Sequence, residues 1–427
     1  MLKRLQAPPY DALTPYLPRP GGATPEVAAE VRAIVDDVRA RRDAAVREHT
    51  RRLDGVDLAP EEWEVPAGQW QRALDRLPQE LITALEVAIA RVREYHRKQL
   101  QPGFLARDER GNALGMLVVP LERVGVYVPG GKAAYPSTVV MNVVPAVVAG
   151  VGDIVMVTPP GGAADAVLAA AHLAGVSRVF RLGGPQAVAA LAFGTETVPP
   201  VDKIVGPGNK YVTEAKRQVA GAVGIDMLAG PTEVLVIADD TADVRHVAAD
   251  LIAQAEHDED ASAWCVTTSD RIARTLEGEL ERQLARAPRR GIAEAALSRH
   301  GVLVAVPSRD AAVRVANQRA PEHLELLVEN PWELVERIRH AGAVFVGRFA
   351  TEPVGDYLAG PSHVLPTAGT ARYVSPLGVY DFVKRISVIG YSREKLEADA
   401  PHLIALAEAE GLDGHAEAVR VRLAADR

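Results

Sequence analysis

VGVYVP (124–129), STVVMNVVPAVVAG (137–150), DIVMVTP (153–159), AADAVLAAAHLAG (163–175), RVFRLGG (178–184), PQAVAALAFG (185–194) and KIVGPG (203–208) succeed one another along the chain. The four short apolar runs are bounded by Gly and Pro and read as buried strands. The three stretches between them are rich in Ala and Val and read as helices. Such a βαβα array builds a parallel sheet covered on both faces. A second array opens at EVLVIAD (233–239) and continues through SAWCVTTS (262–269), GVLVAVP (301–307), LELLV (324–328) and AVFVG (343–347), again with helical segments between. The expected fold is α/β, with two Rossmann-like parallel-sheet units and small helical terminal pieces. The similarity of the two arrays suggests an internal duplication.

Outward from these arrays the pattern changes. Thr24 before Pro25 is a good helix start. Val27, Val31, Ile34, Val35 and Val38 then share one face of a helix expected over 26–50. A second helix is expected over 78–100, with Leu81, Leu85, Ile89 and Val92 at spacings of three and four. Residues 108–121 read as turns and short strands, and the chain from about Tyr380 reads as helical and charged.

The 427 residues exceed a single core, so at least two domains are expected. Apolar residues at 48% and charged residues at 24% are ordinary for a globular chain, which excludes disorder for its bulk. The net charge of −8 has no long single-sign run, which argues against nucleic acid as partner. The single cysteine, Cys265, excludes an intramolecular disulfide, a cysteine zinc cluster and a CxxC redox pair. MLKRLQAPPYD has no apolar signal-peptide core. The uncharged run 133–152 is long enough for a membrane, but Pro136, Ser137, Thr138, Asn142 and Pro145 make it a buried helix instead. A soluble cytoplasmic enzyme without a membrane partner is the expectation.

Five places carry candidate chemistry. Glycine-rich turns follow strands at 129–131, 182–186 and 206–211, where the carboxyl ends of an open parallel sheet bind ligands. None matches GxGxxG, yet three in succession favour a nucleotide site over plain tight turns. Gln254 and His257 lie three apart at the end of a helix that Asp240 or Thr241 can cap, a spacing that suits two ligands of one metal ion or simply a polar helix end. Glu322 and His323 stand just before LELLV. On an extended segment adjacent side chains point to opposite sides, so this carboxylate and imidazole would flank a ligand rather than pair. Gly355–Asp356–Tyr357 and the stretch 360–366 with His363 read as a functional loop. Finally, Glu410 and His415 sit among glycines between C-terminal helices. The set offers nitrogen and oxygen donors without thiolate, which suits zinc. Taken alone, these residues are compatible with a zinc hydrolase, a non-catalytic binding protein or a dehydrogenase.

At this point the chain resembles histidinol dehydrogenases along nearly its whole length. The resemblance is carried by RVGVYVPGG, RLGGPQAVAALAFGT, VDKIVGPGNKYVTEAKR, GIDMLAGPTEVLVIAD, DLIAQAEHDEDA, RAPEHLEL, VGDYLAGPSHVLPT and AEAEGLDGH, in that order. It implies oxidation of L-histidinol to L-histidine through histidinaldehyde, with two hydride transfers to NAD and a requirement for zinc. Carried over by motif, Gln254, His257, Asp356 and His415 would hold the metal, and Glu322 and His323 would be the acid/base pair. Thr232, His363 and Glu410 would join these ligands and His323 in contacting substrate, and Tyr127, Gln186 and Asn209 would contact NAD. Thr232 stands where many relatives have serine, and it keeps the hydroxyl. The resemblance also implies an interlocked homodimer in which Glu410 and His415 complete the partner's site. The implied partition is a first α/β domain of 1–124 and 235–379, a second, NAD-contacting one of 125–234, and a dimerising helical segment of 380–427.

The residue types suit the chemistry. Alcohol oxidation needs a base for the hydroxyl proton, and His323 has the right reference pKa. The second oxidation needs water added to the aldehyde, which a carboxylate such as Glu322 can activate. Many aldehyde-oxidising enzymes use a thiolate instead. Cys265 is the sole candidate for that and lies inside an apolar predicted strand, where cysteine is an inert packing residue. The Cys265→Ala variant is therefore expected to complete both oxidations. Loss of the second alone, read from NADH formed per histidinol, would implicate sulfur.

Overall fold

The computed structural model describes residues 1–6, 10–17, 23–109, 111–130 and 134–424. The chain divides into two compact units, one of Met1–Gln99 with Leu121–Phe382 and one of Leu100–Pro120 with Val383–Arg427.

The larger unit contains both parallel sheets. The first array forms a five-stranded sheet in the order Arg178–Arg181, Asp153–Thr158, Arg123–Tyr127, Lys203–Val205, Gly224–Ile225. The second forms Val302–Ala305, Ser262–Thr267, Glu233–Ala238, His323–Leu327, Ala343–Val346, with Lys3–Gln6 added outside Val302–Ala305. Counted along each array, both sheets read 3-2-1-4-5, and all their pairings are parallel. This repeated order is what an internal duplication produces. The central strands are buried on both faces, as crossover helices require, while the edge strands Lys3–Gln6 and Gly224–Ile225 stay partly exposed. Arg123–Tyr127 lies wholly within the five-stranded sheet, so the boundary expected after residue 124 falls inside a strand. Pro136–Ala149 packs against that sheet as a 14-residue helix, which spans only ~21 Å. Among the described residues no helix is long and apolar enough to cross a membrane.

Three local expectations change. The helix read as 26–50 is two, Pro25–Arg41 and Asp43–Asp54, because Arg42 takes φ 56° and turns the chain. The Val244–Ala255 helix is capped by Asp243, whose side chain accepts the Arg245 N–H at 2.9 Å, rather than by Asp240 or Thr241. The C-terminal portion is not helical throughout. In the smaller unit Val383–Gly390 pairs antiparallel with Ala113–Pro120, which pairs with Phe104–Arg107. Two helices follow, Arg393–Ala409 and Asp413–Ala424, broken at Gly411 (φ 69°).

Open parallel sheets offer a crevice at the carboxyl ends where the strand order reverses. In the five-stranded sheet that point lies between Arg123–Tyr127 and Lys203–Val205, and the chain is shaped for it. Gly206 has φ 109°, and a Cβ there would meet the Tyr127 carbonyl at 2.2 Å. Lys216 and Asp226, whose side chains are 3% and 1% exposed, form an ion pair behind the turn. Lys216 donates to the Gly206 carbonyl at 2.9 Å, and Asp226 accepts the Gly206 N–H at 2.8 Å. The equivalent crevice of the six-stranded sheet is closed. Asp239 fills it by accepting Arg309 at 2.7 Å, the Glu329 N–H at 2.9 Å and the Thr241 hydroxyl at 2.6 Å.

Candidate active site

The acid/base candidates stand at the opposite, amino edge of the six-stranded sheet. His323 opens its strand, with Glu322 just before it, and Thr232 precedes the neighbouring strand. The Val244–Ala255 helix runs back against the sheet, so its last turn brings Gln254 to the same edge. A chain of hydrogen bonds links all four. Gln254 Nε2 donates to Thr232 Oγ1 at 2.9 Å. That hydroxyl donates to Glu322 Oε2 at 2.6 Å, and the Glu233 N–H donates to the same oxygen at 2.9 Å.

These contacts settle the histidine tautomer. His323 Nδ1 lies 3.1 Å from the Glu233 carbonyl oxygen and 3.2 Å from Gln254 Oε1. Both partners are acceptors, so Nδ1 carries the hydrogen and Nε2 is the free base. Burial drives the His323 pKa down to about 4, so the ring is uncharged at neutrality. Burial pushes Glu322 well above the usual carboxylate range, while the Thr232 and Glu233 donors oppose that rise. Glu322 and His323 were expected to diverge. They approach to 3.6 Å between Oε2 and Nδ1, because the strand pairing begins only at His323 and leaves Glu322 outside its alternation. Gly342 fits closely against this turn, where a Cβ would meet the Glu322 carbonyl at 2.6 Å.

Beside this array lies a cluster of metal-ligand type. His257, Glu352 and Asp356 bring one donor atom each to within 4.8 Å of one another. Asp356 was expected on a loop. It sits instead on the short helix Glu352–Tyr357, one turn after Glu352. Glu352 was not expected at all. Its spacing of four from Asp356 was the available signal, masked by the Pro and Gly between them. Its Oε1 lies 3.7 Å from His257 Nε2, and its buried Oε2 has no hydrogen-bond partner. Burial and the nearby charges of Asp356, Glu322 and Asp250 raise its pKa well above the usual range. An orphaned buried carboxylate oxygen beside an imidazole and a second carboxylate fits a cation. His363 joins the cluster, its Nδ1 donating to the Asp356 carbonyl at 3.1 Å, and burial lowers its pKa.

The remaining expected residues are less gathered. At the carboxyl edge of the five-stranded sheet Tyr127 is buried, its hydroxyl accepting the Gly184 N–H at 3.1 Å and its pKa pushed up to about 12. Gln186 is buried too, donating to Asp54 at 3.2 Å, while its Oε1 has no partner. Asn209 is exposed and caps the Lys210–Val219 helix through the Tyr211 and Val212 N–H groups. It lines a cavity of about 1260 Å³ that also touches Gly230, Pro231 and Glu233, but not Tyr127, Gln186, Glu322 or His323. The first glycine turn, 129–131, ends at Gly131, outside the described residues. Glu410 closes the Arg393–Ala409 helix and His415 lies on Asp413–Ala424, both exposed in the smaller unit. Cys265 is fully buried in its strand, and burial drives its thiol up to about 12.

With this geometry in view, comparison with known proteins is decisive. A family model described as histidinol dehydrogenase matches residues 17–423. The chain belongs to the histidinol dehydrogenase family. Among relatives, the histidinol dehydrogenase of Aquifex aeolicus is 52% identical over 397 residues, 93% of this chain and 92% of that one. That of Syntrophotalea carbinolica is 50% identical over 406 residues, 94% of each. The crystal structure of histidinol dehydrogenase from Elizabethkingia anophelis superposes with TM-score 0.93 at 36% identity, covering 99% of this chain and 98% of that one. The protein is thus an oxidoreductase of histidine biosynthesis, and its family implies histidinol as substrate and a nicotinamide cofactor.

The Glu352 environment makes a prediction for the metal-free protein. Folded Glu352 keeps its proton to higher pH than the unfolded chain, whose carboxyl titrates near 4.5. Its stabilising contribution is complete below that value and is lost as pH rises through the folded pKa. Metal-free wild type should therefore lose melting temperature against Glu352→Gln as pH is raised from about 5 to about 8. A constant difference across that range would mean Glu352 ionises normally.

Proposed function

We propose that this enzyme oxidises L-histidinol to L-histidine through histidinaldehyde, by two successive hydride transfers to NAD, in the cytoplasm and with zinc bound. The supporting observation is the buried array of Gln254, Thr232, Glu322 and His323 beside His257, Glu352 and Asp356, in a chain of this family. Gln254, His257 and Asp356 would hold the metal, with Glu352 at hand and His415 of a partner subunit completing the set. When bound, the ion would supply positive charge that fixes the substrate's imidazole and amine and offsets the buried carboxylates. Tyr127, Gln186 and Asn209 would bind NAD at the carboxyl edge of the five-stranded sheet. The orphaned Gln186 Oε1 and the exposed Asn209 offer polar groups there.

The acid/base work follows from the side chains. In the first oxidation His323 Nε2 takes the hydroxyl proton as hydride leaves the carbinol carbon. Its Nδ1–H, fixed by two carbonyl oxygens, keeps that lone pair aimed outward. In the second, water adds to the aldehyde, and Glu322 takes a proton from it before the second hydride leaves. A carboxyl whose pKa burial has raised is a stronger base than an ordinary one. Thr232, assigned to substrate contact, also orients Glu322 through its hydroxyl. His363 and Glu410 would contact the substrate's polar groups, Glu410 from the partner subunit.

One assay tests the reaction. Metal-analysed enzyme given L-histidinol and excess NAD should form two NADH per histidinol, losing activity with a chelator and recovering it with zinc. No NADH would sink the reading. The shared site has its own test. Mixing inactive His323→Asn and His415→Ala homodimers and allowing exchange should restore activity, because one site of each hybrid is then intact. Hybrids as inactive as their parents would place His415 within its own subunit's site.

A further inference from the structure

Glu233 is the residue on which the array converges, yet its own side chain points elsewhere. Its N–H holds Glu322 Oε2 at 2.9 Å, and its carbonyl oxygen holds His323 Nδ1 at 3.1 Å. One peptide segment therefore sets both acid/base groups. The Glu233 carboxylate forms an ion pair with Arg319, each side chain 3% exposed, and also accepts the Ala368 N–H. Arg319 is held in turn by Ser262 Oγ at 3.2 Å and by the face of Trp264, 5.2 Å from its ring centre. It lies three residues before Glu322. Between them Ala320 takes φ 49°, a left-handed conformation that alanine rarely adopts, and Pro321 offers no N–H. The chain from Arg319 to Glu322 thus closes a ring with Glu233, made by an ion pair at one end and a hydrogen bond at the other.

We propose that Arg319 is a positioning residue for the acid/base pair, acting through Glu233. Without its guanidinium the Glu233 carboxylate is a buried, uncompensated charge. It must then take a proton or turn toward solvent, and either moves the peptide that orients Glu322 and His323. Positional errors of about 1 Å at reacting groups cost on the order of a hundredfold in rate. Arg319, Glu233, Ser262, Trp264 and Ala368 all line the cavity of about 1260 Å³, so a small solute can reach the space the guanidinium leaves. The inference rests on the proposed roles of Glu322 and His323.

The test is chemical rescue in the zinc-loaded, full-length enzyme. Arg319→Ala should lower kcat for histidinol on the order of a hundredfold, with KM changed far less. Millimolar guanidinium or methylguanidinium chloride should restore at least a tenth of the loss in a saturable manner, where equal sodium chloride does not. The Glu233→Gln/Arg319→Ala double variant should be no slower than the single one and gain nothing from guanidinium. Should Arg319→Ala fail to fold, Glu233→Gln carries the test and must show the same fall in kcat at near-constant KM. A folded, zinc-loaded Arg319→Ala with wild-type kcat overturns the proposal, and so does a loss that follows melting temperature alone and is never rescued. Full activity of Glu322→Gln and His323→Asn would instead show that the underlying acid/base assignment is at fault.

Discussion

A carboxyl group buried at the start of a parallel strand has to find its hydrogen-bond donors among its immediate neighbours, and Glu322 sets this constraint for the whole site. The carboxyl is largely buried, so its Oε2 depends on the Thr232 hydroxyl and the Glu233 N–H. Those donors require Glu233–Ala238 and His323–Leu327 to pair in the register observed, with His323 opposite Val234. The same register places the Glu233 carbonyl against His323 Nδ1 and so leaves Nε2 free. Fold, register and tautomer are one decision, and a slip of one residue would undo all three.

The two sheets repeat one strand order but use opposite edges. The five-stranded sheet keeps an open switch point at its carboxyl ends, with Gly206 pressed against Tyr127 and held by Lys216 and Asp226. In the six-stranded sheet Asp239 and Arg309 fill the switch point, and Glu322 and His323 stand at the amino ends. Under the proposed function this divides labour: the five-stranded sheet would offer the edge suited to phosphates, and the six-stranded sheet holds Glu322 and His323 at its strand starts.

Much of this was legible in the sequence because parallel-sheet strands are short, apolar and punctuated by Gly and Pro. Apart from the two-residue strand Gly224–Ile225, the strands of both arrays stood out for that reason, as did the helix faces of Val27 to Val38 and Leu85 to Val92. Lys3–Gln6 was invisible, since its partner Val302–Ala305 lies some three hundred residues away and four residues carry no period. Val383–Gly390 was hidden because a half-exposed strand of charged and apolar residues mimics a helix surface. At the site, motif words supplied residue identities but not environments. Tyr127 and Gln186 turn out buried, Asp356 helical, and Glu352 grouped with His257 and Asp356. Burial and long-range pairing decide each of these, and neither is written in local sequence.

The central claim is that Glu322 and His323 divide the two oxidations between them. The most direct test is a rapid single-turnover measurement on Glu322→Gln, mixed with L-histidinol and NAD. The account predicts one NADH per site at near wild-type rate, with the aldehyde retained and the second NADH slowed on the order of a hundredfold or more. Two NADH at wild-type rates would contradict it.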